Sequence, residues 1–204
     1  MKRKKFTKIS KNIYEIKNVF PEKVIKKIFY IFKNHKPKQW KLISQKKPTH
    51  YSHVFKSSSK FLPSKDEIYF AKFYRSDKLK KNQYIDFSIK KFIFPLIKKH
   101  LKFRVKNYDI RCHKYIKDNL TRIHFDDYAG AYALTLNINK TWRWDWGGIL
   151  SVPMGKNAEK LHSILPIWNS LGIIYSGKNY SPHFVSPVQP FAKSPRYTIT
   201  IFIK

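Results

Sequence analysis

The second half of the chain is a succession of short, strand-like runs, and this pattern restricts the fold more than any other feature. From Asn107 onward, runs rich in β-branched and aromatic residues alternate with turn-forming residues. Such a succession is typical of β-sandwiches and barrels. The runs are NYDIRCHKYI, TRIHFDDY, AYALTLNI, GGILSVP, NSLGIIYS, HFVSPV and RYTITIFIK.

Two helical patterns precede these strands. Residues 18–35 carry an apolar stripe at helical spacing, and Pro21 suits a first helical turn. Residues 78–102 read as a second, longer helix, in which Pro95 predicts a kink or a break because proline cannot donate the helical hydrogen bond. Residues 36–64 show little periodicity, so we expect a loop with one or two short strands there.

This order of elements predicts one domain over residues 1–204. The chain has no Gly/Ser linker and no internal repeat. We expect an α+β fold, mainly β, in which the helices and loops of residues 1–106 support a β core formed by residues 107–204.

The last strand shows the clearest alternation. Its apolar face would pack against the helices, whereas the opposite face carries Arg196, Thr198 and Thr200. A polar inner face predicts a cavity inside the barrel instead of a filled core. The apolar positions are Tyr197, Ile199, Ile201 and Ile203.

The chain is strongly basic, with 43 Lys plus Arg against 12 Asp plus Glu and a formal net charge of +31. This charge favours a nucleic acid or an anionic surface as partner. Only seven of the basic residues are Arg, however, and a Lys-, Ile- and Asn-rich composition is also typical of AT-rich codon usage. Because specific nucleic-acid sites rely on Arg, nucleic acid is kept as an alternative partner and is not favoured.

Several features bear on the compartment. No apolar stretch is long enough to span a bilayer, and no apolar segment of signal-peptide length follows the basic N-terminus. The single cysteine, Cys112, excludes an intramolecular disulfide and a cysteine-rich zinc site. We therefore expect a cytoplasmic protein without a membrane partner.

His124 and Asp126 form an H-x-D step in the second strand-like run. Side chains alternate along a strand, so these two would project from one face and Asp127 from the other. A histidine from a distant strand would complete a two-histidine, one-carboxylate site, which leaves positions open on an iron ion. Two histidines follow downstream, His162 and His183, and either is a candidate for the third ligand.

Arg196 opens a last strand that is otherwise composed mostly of apolar residues and threonine. A buried cation at this position needs an anion, and no carboxylate follows Glu159 in the sequence. A ligand carboxylate, bound in a bidentate pair, would meet that need.

The segments from Asn107 to the C-terminus resemble, in their order and spacing, the double-stranded β-helix (jelly roll) of the iron(II)- and 2-oxoglutarate-dependent oxygenases, particularly the prolyl-hydroxylase-like branch. The resemblance implies Fe(II), 2-oxoglutarate as cosubstrate and O2, and a hydroxylation coupled to conversion of 2-oxoglutarate into succinate and CO2. The matching segments are RCHKYI (111–116), HFD (124–126), LNINKTW (136–142), GGIL (147–150), LPIWNSLGIIYS (165–176), HFVSPV (183–188) and RYTITIFI (196–203).

The same resemblance assigns roles to individual residues. His124, Asp126 and His183 match the family's iron ligands. Arg196 matches the residue that pairs with the distal carboxylate of 2-oxoglutarate, and Thr198 matches the hydroxyl two residues further on.

Further positions match with differences. Tyr115 matches a tyrosine that hydrogen-bonds the same carboxylate, whereas Asn137 stands where animal-type prolyl hydroxylases have another tyrosine. Gly147 and Gly148 match a glycine pair that permits a sharp corner between strands. Residues 189–195 lengthen the turn between the metal-binding histidine and the arginine.

The resemblance favours a peptide or protein substrate that is hydroxylated on a side chain, with proline as the first choice. Arg122 and Trp142 are the candidate substrate contacts. The first alternative is an oxygenase of a free amino acid or another small metabolite. A nucleic-acid oxidative demethylase is less favoured, because the chain lacks the second C-terminal arginine of those enzymes. A β-sandwich protein that only binds ligands would not need the intact H-x-D, histidine and arginine set.

Overall fold

The computed structural model describes residues 4–45, 71–124, 126, 131–154, 159–176 and 181–204. They form an antiparallel sheet and a layer of helices. The strands are β1 (Lys5–Lys8), β2 (Ile13–Lys17), β3 (Lys41–Gln45), β4 (Ala71–Arg75), β5 (Tyr108–Tyr115), β6 (Leu120–His124), β7 (Tyr132–Asn137), β8 (Leu150–Met154), β9 (Lys160–Ile164), β10 (Ser170–Tyr175), β11 (His183–Val185) and β12 (Arg196–Ile203). The α-helices are α1 (Glu22–Lys33), α2 (Asp77–Lys80), α3 (Gln83–Ser88) and α4 (Phe94–Leu101).

The strands hydrogen-bond in the order β1-β2-β10-β7-β12-β5-β4-β6-β11-β8-β9, and β3 pairs with β4. Residues near the two ends of the sheet pack in one apolar cluster, which shows that the sheet is curled. Ile13 and Ile174 come from one end, and Leu150 and Val185 come from the other. This architecture confirms the predicted mainly β fold with a jelly-roll core.

Helix α1 covers the outer face of the sheet with the stripe seen in the sequence. Ile25, Ile28 and Phe32 are fully buried in the same cluster as Ile199 and Ile201 of β12. Glu22 begins the helix directly after Pro21, where a carboxylate complements the helix dipole. The larger hydrophobic core of the described chain therefore lies between the helices and one face of the sheet.

The second predicted helix is divided. Helix α2 ends before Asn82, whose Oδ1 accepts hydrogen bonds from the Tyr84 and Ile85 amides, both at 3.1 Å, and thereby begins α3. A π-helical segment, Ile89–Ile93, then separates α3 from α4. This wider turn lies directly before Pro95, which cannot donate a helical hydrogen bond, so the expected distortion is confirmed.

The N-terminal half contributes more strands than the sequence indicated. β4 pairs with both β5 and β6 and so joins the two parts of the curled sheet. In the C-terminal half, β9 was not predicted, because its sequence KLHSI is short and mostly polar. In the predicted loop, β3 is one of the expected short strands, while residues 46–64 lie outside the described part. No helix among the described residues is long and apolar enough to cross a membrane.

Candidate active site

The inner face of the sheet is built by strict alternation along β5, β12 and β7. In β12, Tyr197, Ile199, Ile201 and Ile203 belong to or pack against the helix-side core, as predicted. Their neighbours in sequence therefore face inward. The strand register aligns these inward residues in rows: Arg196 with Tyr115, Thr198 with His113 and Asn137, and Thr200 with Arg111.

A compact group of three side chains lies on the opposing strands. His124 ends β6 and His183 begins β11, and the two residues are direct partners in the antiparallel register. Asp126 follows His124 by two residues, and the potential ligand atoms of the three all lie within 4.8 Å of one another. His162 instead lies 3.2 Å from Glu15, so the two candidates for the third position are separated by the fold.

Backbone carbonyls orient both histidines of this group. Nδ1 of His124 lies 2.7 Å from the Arg122 carbonyl oxygen, and Nδ1 of His183 lies 3.1 Å from that of Ser181. A carbonyl can only accept, so each Nδ1 carries the proton and each Nε2 is left to face Asp126. The Nε2 atoms lie 3.8 Å (His124) and 3.1 Å (His183) from the carboxylate.

The charges of the three groups are coupled. Burial alone would raise the pKa of Asp126, but the charge and hydrogen bond of His183 lower it to about 2. Burial opposes protonation of His183, yet Asp126 holds its pKa above the ordinary value. Burial and the positive charge of His183 lower the pKa of His124 to about 4. A cation would replace the proton on His183, so this donor set suits a divalent metal.

Arg196 is 1% exposed at the start of β12, although guanidinium groups are rarely buried without an anion. Its Nε has no hydrogen-bond partner within the described part of the chain. Burial lowers the pKa of Arg196 to about 10, and Tyr115, whose ring centre lies 5.0 Å from the guanidinium carbon, opposes this shift. The group remains a cation at neutral pH, so its unpartnered donor fits a ligand carboxylate.

The other predicted cosubstrate residues surround Arg196. The Tyr115 hydroxyl lies 3.1 Å from Thr121 Oγ1, and Thr198 is buried one row further along the sheet. Asn137 donates from Nδ2 to Ser170 Oγ at 3.2 Å, and its Oδ1 has no partner among the described residues. Since a carboxylate only accepts, Asn137 would have to turn its amide nitrogen toward it.

The glycine pair forms the sharp corner that was expected before β8. Gly147 and Gly148 have φ of +64° and +60°. A Cβ on Gly147 would lie 1.9 Å from the Pro187 carbonyl oxygen, and one on Gly148 would lie 3.1 Å from Cδ of Arg196. The missing side chains therefore let the corner close over the arginine.

The two candidate substrate residues occupy different surroundings. Arg122 is half-buried on β6, in the stretch between Thr121 and His124 where the register against β11 shifts, so alternation does not assign its face. Trp142 is buried, donates its indole N–H to the Gly147 carbonyl at 2.8 Å and packs edge-on against Trp146. This position favours a structural role for Trp142 beside Arg196. Its contact with substrate stays a prediction.

Some inward-facing residues were missed in the sequence. His113 is buried, lies 3.4 Å from Thr200 Oγ1 and packs against Phe73. Alternation from Tyr115 would have found it, whereas Thr121 could be linked to Tyr115 only by the strand pairing. Asn139 gave no signal at all: its Oδ1 accepts from the Tyr197 amide at 3.0 Å, and it holds the start of β12 beside the lengthened turn.

Comparisons with known proteins agree with this geometry. Residues 110–204 match the profile of the 2OG-Fe(II) oxygenase superfamily. No curated protein sequence matches the chain.

Solved structures share the fold. A prolyl-4-hydroxylase from Pseudomonas putida aligns at 15% identity with a TM-score of 0.64, covering 95% of this chain and 92% of its own. A prolyl hydroxylase from Trichoplax adhaerens, solved with a peptide fragment of the hypoxia-inducible factor oxygen degradation domain, aligns at 15% identity and a TM-score of 0.60, covering 95% and 84%. A non-heme α-ketoglutarate-dependent epimerase of nogalamycin biosynthesis aligns at 9% identity and 0.59, covering 93% and 76%.

The profile match spans the strands that carry the histidine–aspartate–histidine group and the buried arginine. Fe(II), 2-oxoglutarate and O2 are the cofactor and cosubstrates that this superfamily implies. Residues 110–204 therefore match the 2OG-Fe(II) oxygenase superfamily, and this match together with the histidine–aspartate–histidine group supports a 2-oxoglutarate-dependent dioxygenase.

Proposed function

We propose that the enzyme hydroxylates a side chain of a peptide or protein, with proline as the first choice. The observation that carries the proposal is the buried Arg196, whose Nε has no partner among the described residues, on the same curled sheet as the histidine–aspartate–histidine group. The choice of a peptide is supported by the two prolyl hydroxylases of similar fold, one of which was solved with a peptide.

In this proposal His124, Asp126 and His183 hold Fe(II), and the carbonyls behind the two histidines keep their Nε2 atoms directed at the metal. When bound, the iron with 2-oxoglutarate and O2 supplies the oxidising power that inserts oxygen into a C–H bond. The protein contributes ligand geometry and the exclusion of water.

The cosubstrate site is assigned to the inner face of β12 and its neighbours. Arg196 pairs with the distal carboxylate of 2-oxoglutarate, and Tyr115 and Thr198 direct hydroxyl groups at the same carboxylate. Asn137 contributes if its amide nitrogen faces the ligand. These groups are buried, so each charge-assisted hydrogen bond is stronger than it would be in water.

The substrate side of the cavity is assigned to Arg122, with Trp142 forming part of the wall near Arg196. A free amino acid or small metabolite is the alternative substrate. The epimerase of similar fold illustrates that this architecture also serves small-molecule chemistry.

The test is a search for oxygen incorporation. The protein is incubated with Fe(II), 2-oxoglutarate and O2, together with pools of proline-containing peptides, free amino acids and methylated oligonucleotides, and each pool is analysed by mass spectrometry. A gain of one oxygen on a peptidyl proline, matched by succinate release, supports the proposal. Oxygen found only in a free amino acid favours the alternative.

Salt dependence distinguishes the peptide proposal from the nucleic-acid hypothesis, which the net charge of +31 favours. An enzyme that follows a phosphate backbone should lose affinity by orders of magnitude between ~50 and ~200 mM salt. A peptide hydroxylase should lose much less, because pocket contacts near the metal supply its affinity. Reaction of a methylated oligonucleotide, with none in any peptide or amino acid, would overturn the hydroxylase proposal and leave the metal site standing.

A further inference from the structure

The helix layer carries a dense positive charge on its solvent side. Residues 21–41 and 77–106, which contain the four α-helices of the described chain, include 16 lysines and one arginine but only three carboxylates. These two segments supply +14 of the net charge of +31. All 17 basic residues are exposed, and we call them the lysine face.

No arrangement of the rest of the chain neutralises this face. Its 17 basic residues outnumber all 12 carboxylates of the chain, wherever those lie. Among the described residues, three lysines of the face pair with a carboxylate, and they are Lys26, Lys80 and Lys90. The lysine face therefore attracts anions from outside the chain.

A general bias toward lysine does not account for the face. Such a bias acts on exposed positions throughout the molecule, so two regions can be compared. In residues 21–41 and 77–106, 17 of 25 exposed positions are basic and two are acidic. In the described part of residues 107–204, 6 of 16 exposed positions are basic and three are acidic. The excess positive charge is thus concentrated on the helix layer.

The lysine face lies across the sheet from the proposed cosubstrate site. Ile25 of α1, Ile85 of α3 and Ile97 of α4 belong to the core cluster that covers the outer face of the sheet. Arg196 lies on the inner face of β12, where it is buried. A partner bound to the lysine face would therefore leave Arg196 free for 2-oxoglutarate.

Contacts between the helices make the face continuous. Nζ of Lys27 in α1 lies 4.1 Å from the centre of the Tyr84 ring in α3. Cations of α4 are close enough to influence one another. Burial lowers the pKa of His100, and the charges of Lys99 and Lys102 lower it further. Such a surface favours a long polyanion, which contacts several cations at once, over a small anion.

Exposed aromatic rings lie among these lysines. Phe87 is 56% exposed, and Tyr30 is 50% exposed. Nζ of Lys91 lies 5.4 Å from the centre of the Phe87 ring, and Nζ of Lys140 lies 5.4 Å from that of Tyr30. Unpaired bases stack on such rings while neighbouring ammonium groups contact phosphates. The combination favours a single-stranded nucleic acid over an acidic protein.

The preference for lysine over arginine indicates how the strand would be recognised. Base-specific contacts rely on the bidentate guanidinium group, and the face has one arginine, Arg104. An ammonium group contacts a phosphate as a point charge and does not read the base. The composition therefore fits phosphate contacts that do not depend on sequence.

We propose that the lysine face binds single-stranded nucleic acid without sequence preference, as a docking partner that the enzyme does not oxidise. The lysines contact successive phosphates, and Phe87 and Tyr30 stack on bases. This inference goes beyond the proposed function and concerns a different surface. For a peptide hydroxylase, such docking raises the local concentration of proteins assembled on the same strand.

The test is a binding titration with the full-length protein, followed by fluorescence anisotropy. The probe is a fluorescein-labelled RNA single strand of about 20 nucleotides, longer than one typical binding site. With contacts to about five phosphates, the affinity should fall about 100-fold between ~50 and ~200 mM salt. A strand of unrelated sequence should bind alike. Metal-free protein and protein loaded with Fe(II) and 2-oxoglutarate should also bind alike, and peptide turnover should keep its weak salt dependence.

A charge variant locates the binding to the face. Lys81→Gln combined with Lys91→Gln should weaken binding about tenfold or more and reduce the salt slope by about 0.7 for each lost contact. The matched control, Lys117→Gln combined with Lys193→Gln, removes the same charge from exposed positions outside the helix layer. It should bind like the wild type. Circular dichroism checks that both variants fold.

An aromatic variant tests stacking separately from charge. Phe87→Leu should weaken binding about fivefold or more and leave the salt slope unchanged, because it removes a stacked base and no phosphate contact. Phe191→Leu is the control, since Phe191 is 59% exposed and lies outside the helix layer.

Several results would overturn the inference. Equal weakening by the control charge variant would reduce the effect to net charge, and displacement of the strand by 2-oxoglutarate would place it in the catalytic site. Tighter binding of polyglutamate or of phosphatidylserine vesicles would assign the face to an acidic protein or a membrane. These outcomes leave the proposed function standing, because oxygen incorporation into a peptide is measured separately. A protein that binds the strand but hydroxylates no peptide would contradict the proposed function alone.

Discussion

The two faces of strand β12 show how one segment serves stability and chemistry separately. The outer face is apolar and fully covered: Ile199, Ile201 and Ile203 pack under the helices with no exposed surface. The inner face is equally buried at Arg196 and Thr198, yet it is polar, and within the described part of the chain it offers Arg196 Nε no partner. A buried donor without an acceptor does not stabilise a fold, so the inner face suits a ligand and the outer face suits packing.

The largest effect is expected where the metal would bind. Asp126→Ala should abolish iron-dependent conversion of 2-oxoglutarate, because it removes the one carboxylate of the cluster. The circular dichroism spectrum should be unchanged. Asp145→Ala is the control, since Asp145 is an exposed carboxylate paired with Arg143. Full activity in Asp126→Ala would remove Asp126 from the site.

Arg196→Met should have the next largest effect, on cosubstrate affinity. Loss of the cation strands a buried carboxylate, which costs about 2–5 kcal/mol in 2-oxoglutarate binding, measured by calorimetry. The free energy of unfolding in urea should stay level or rise, because a buried cation with one unsatisfied donor is replaced by an apolar side chain. A strongly destabilised variant with normal 2-oxoglutarate affinity would mean that Arg196 is structural.

Ile199 and Thr198 are neighbours on opposite faces of β12, so they test the comparison of the two faces most directly. The expected change in 2-oxoglutarate affinity is the smallest of the three predictions. Ile199→Ala on the outer face should lower the free energy of unfolding by about 2–5 kcal/mol, with unchanged 2-oxoglutarate affinity in the folded fraction. Thr198→Val on the inner face keeps the shape and removes one hydroxyl. It should weaken 2-oxoglutarate binding by about 0.5–1.5 kcal/mol and change the free energy of unfolding by less than ~1 kcal/mol. The same response from both variants would contradict the division of labour between the faces.

The fold class and the first two residues of the histidine–aspartate–histidine group were accessible from sequence because they rest on local periodicity. The H-x-D spacing puts His124 and Asp126 on one face, and alternation in the last strand separates its two faces. Other features were missed. The sequence predicted the distortion at Pro95 but not the break at Asn82, whose side chain begins α3. Strands β4 and β9 were missed because each has only five residues.

The sequence by itself determined which residues could do the chemistry, because side-chain type and alternation are written into it. It left His162 and His183 as alternatives from spacing alone, and only the resemblance to a family favoured His183. The tertiary structure decided which of these residues are neighbours in space. The β6–β11 pairing places His183 opposite His124, whereas His162 on β9 lies beside Glu15 on β2. It also decided that Arg111 and Arg75 lie close enough to His113 for their charges, after burial, to lower its pKa. Long-range strand pairing depends on how the whole sheet curls, and no short stretch of sequence contains that information.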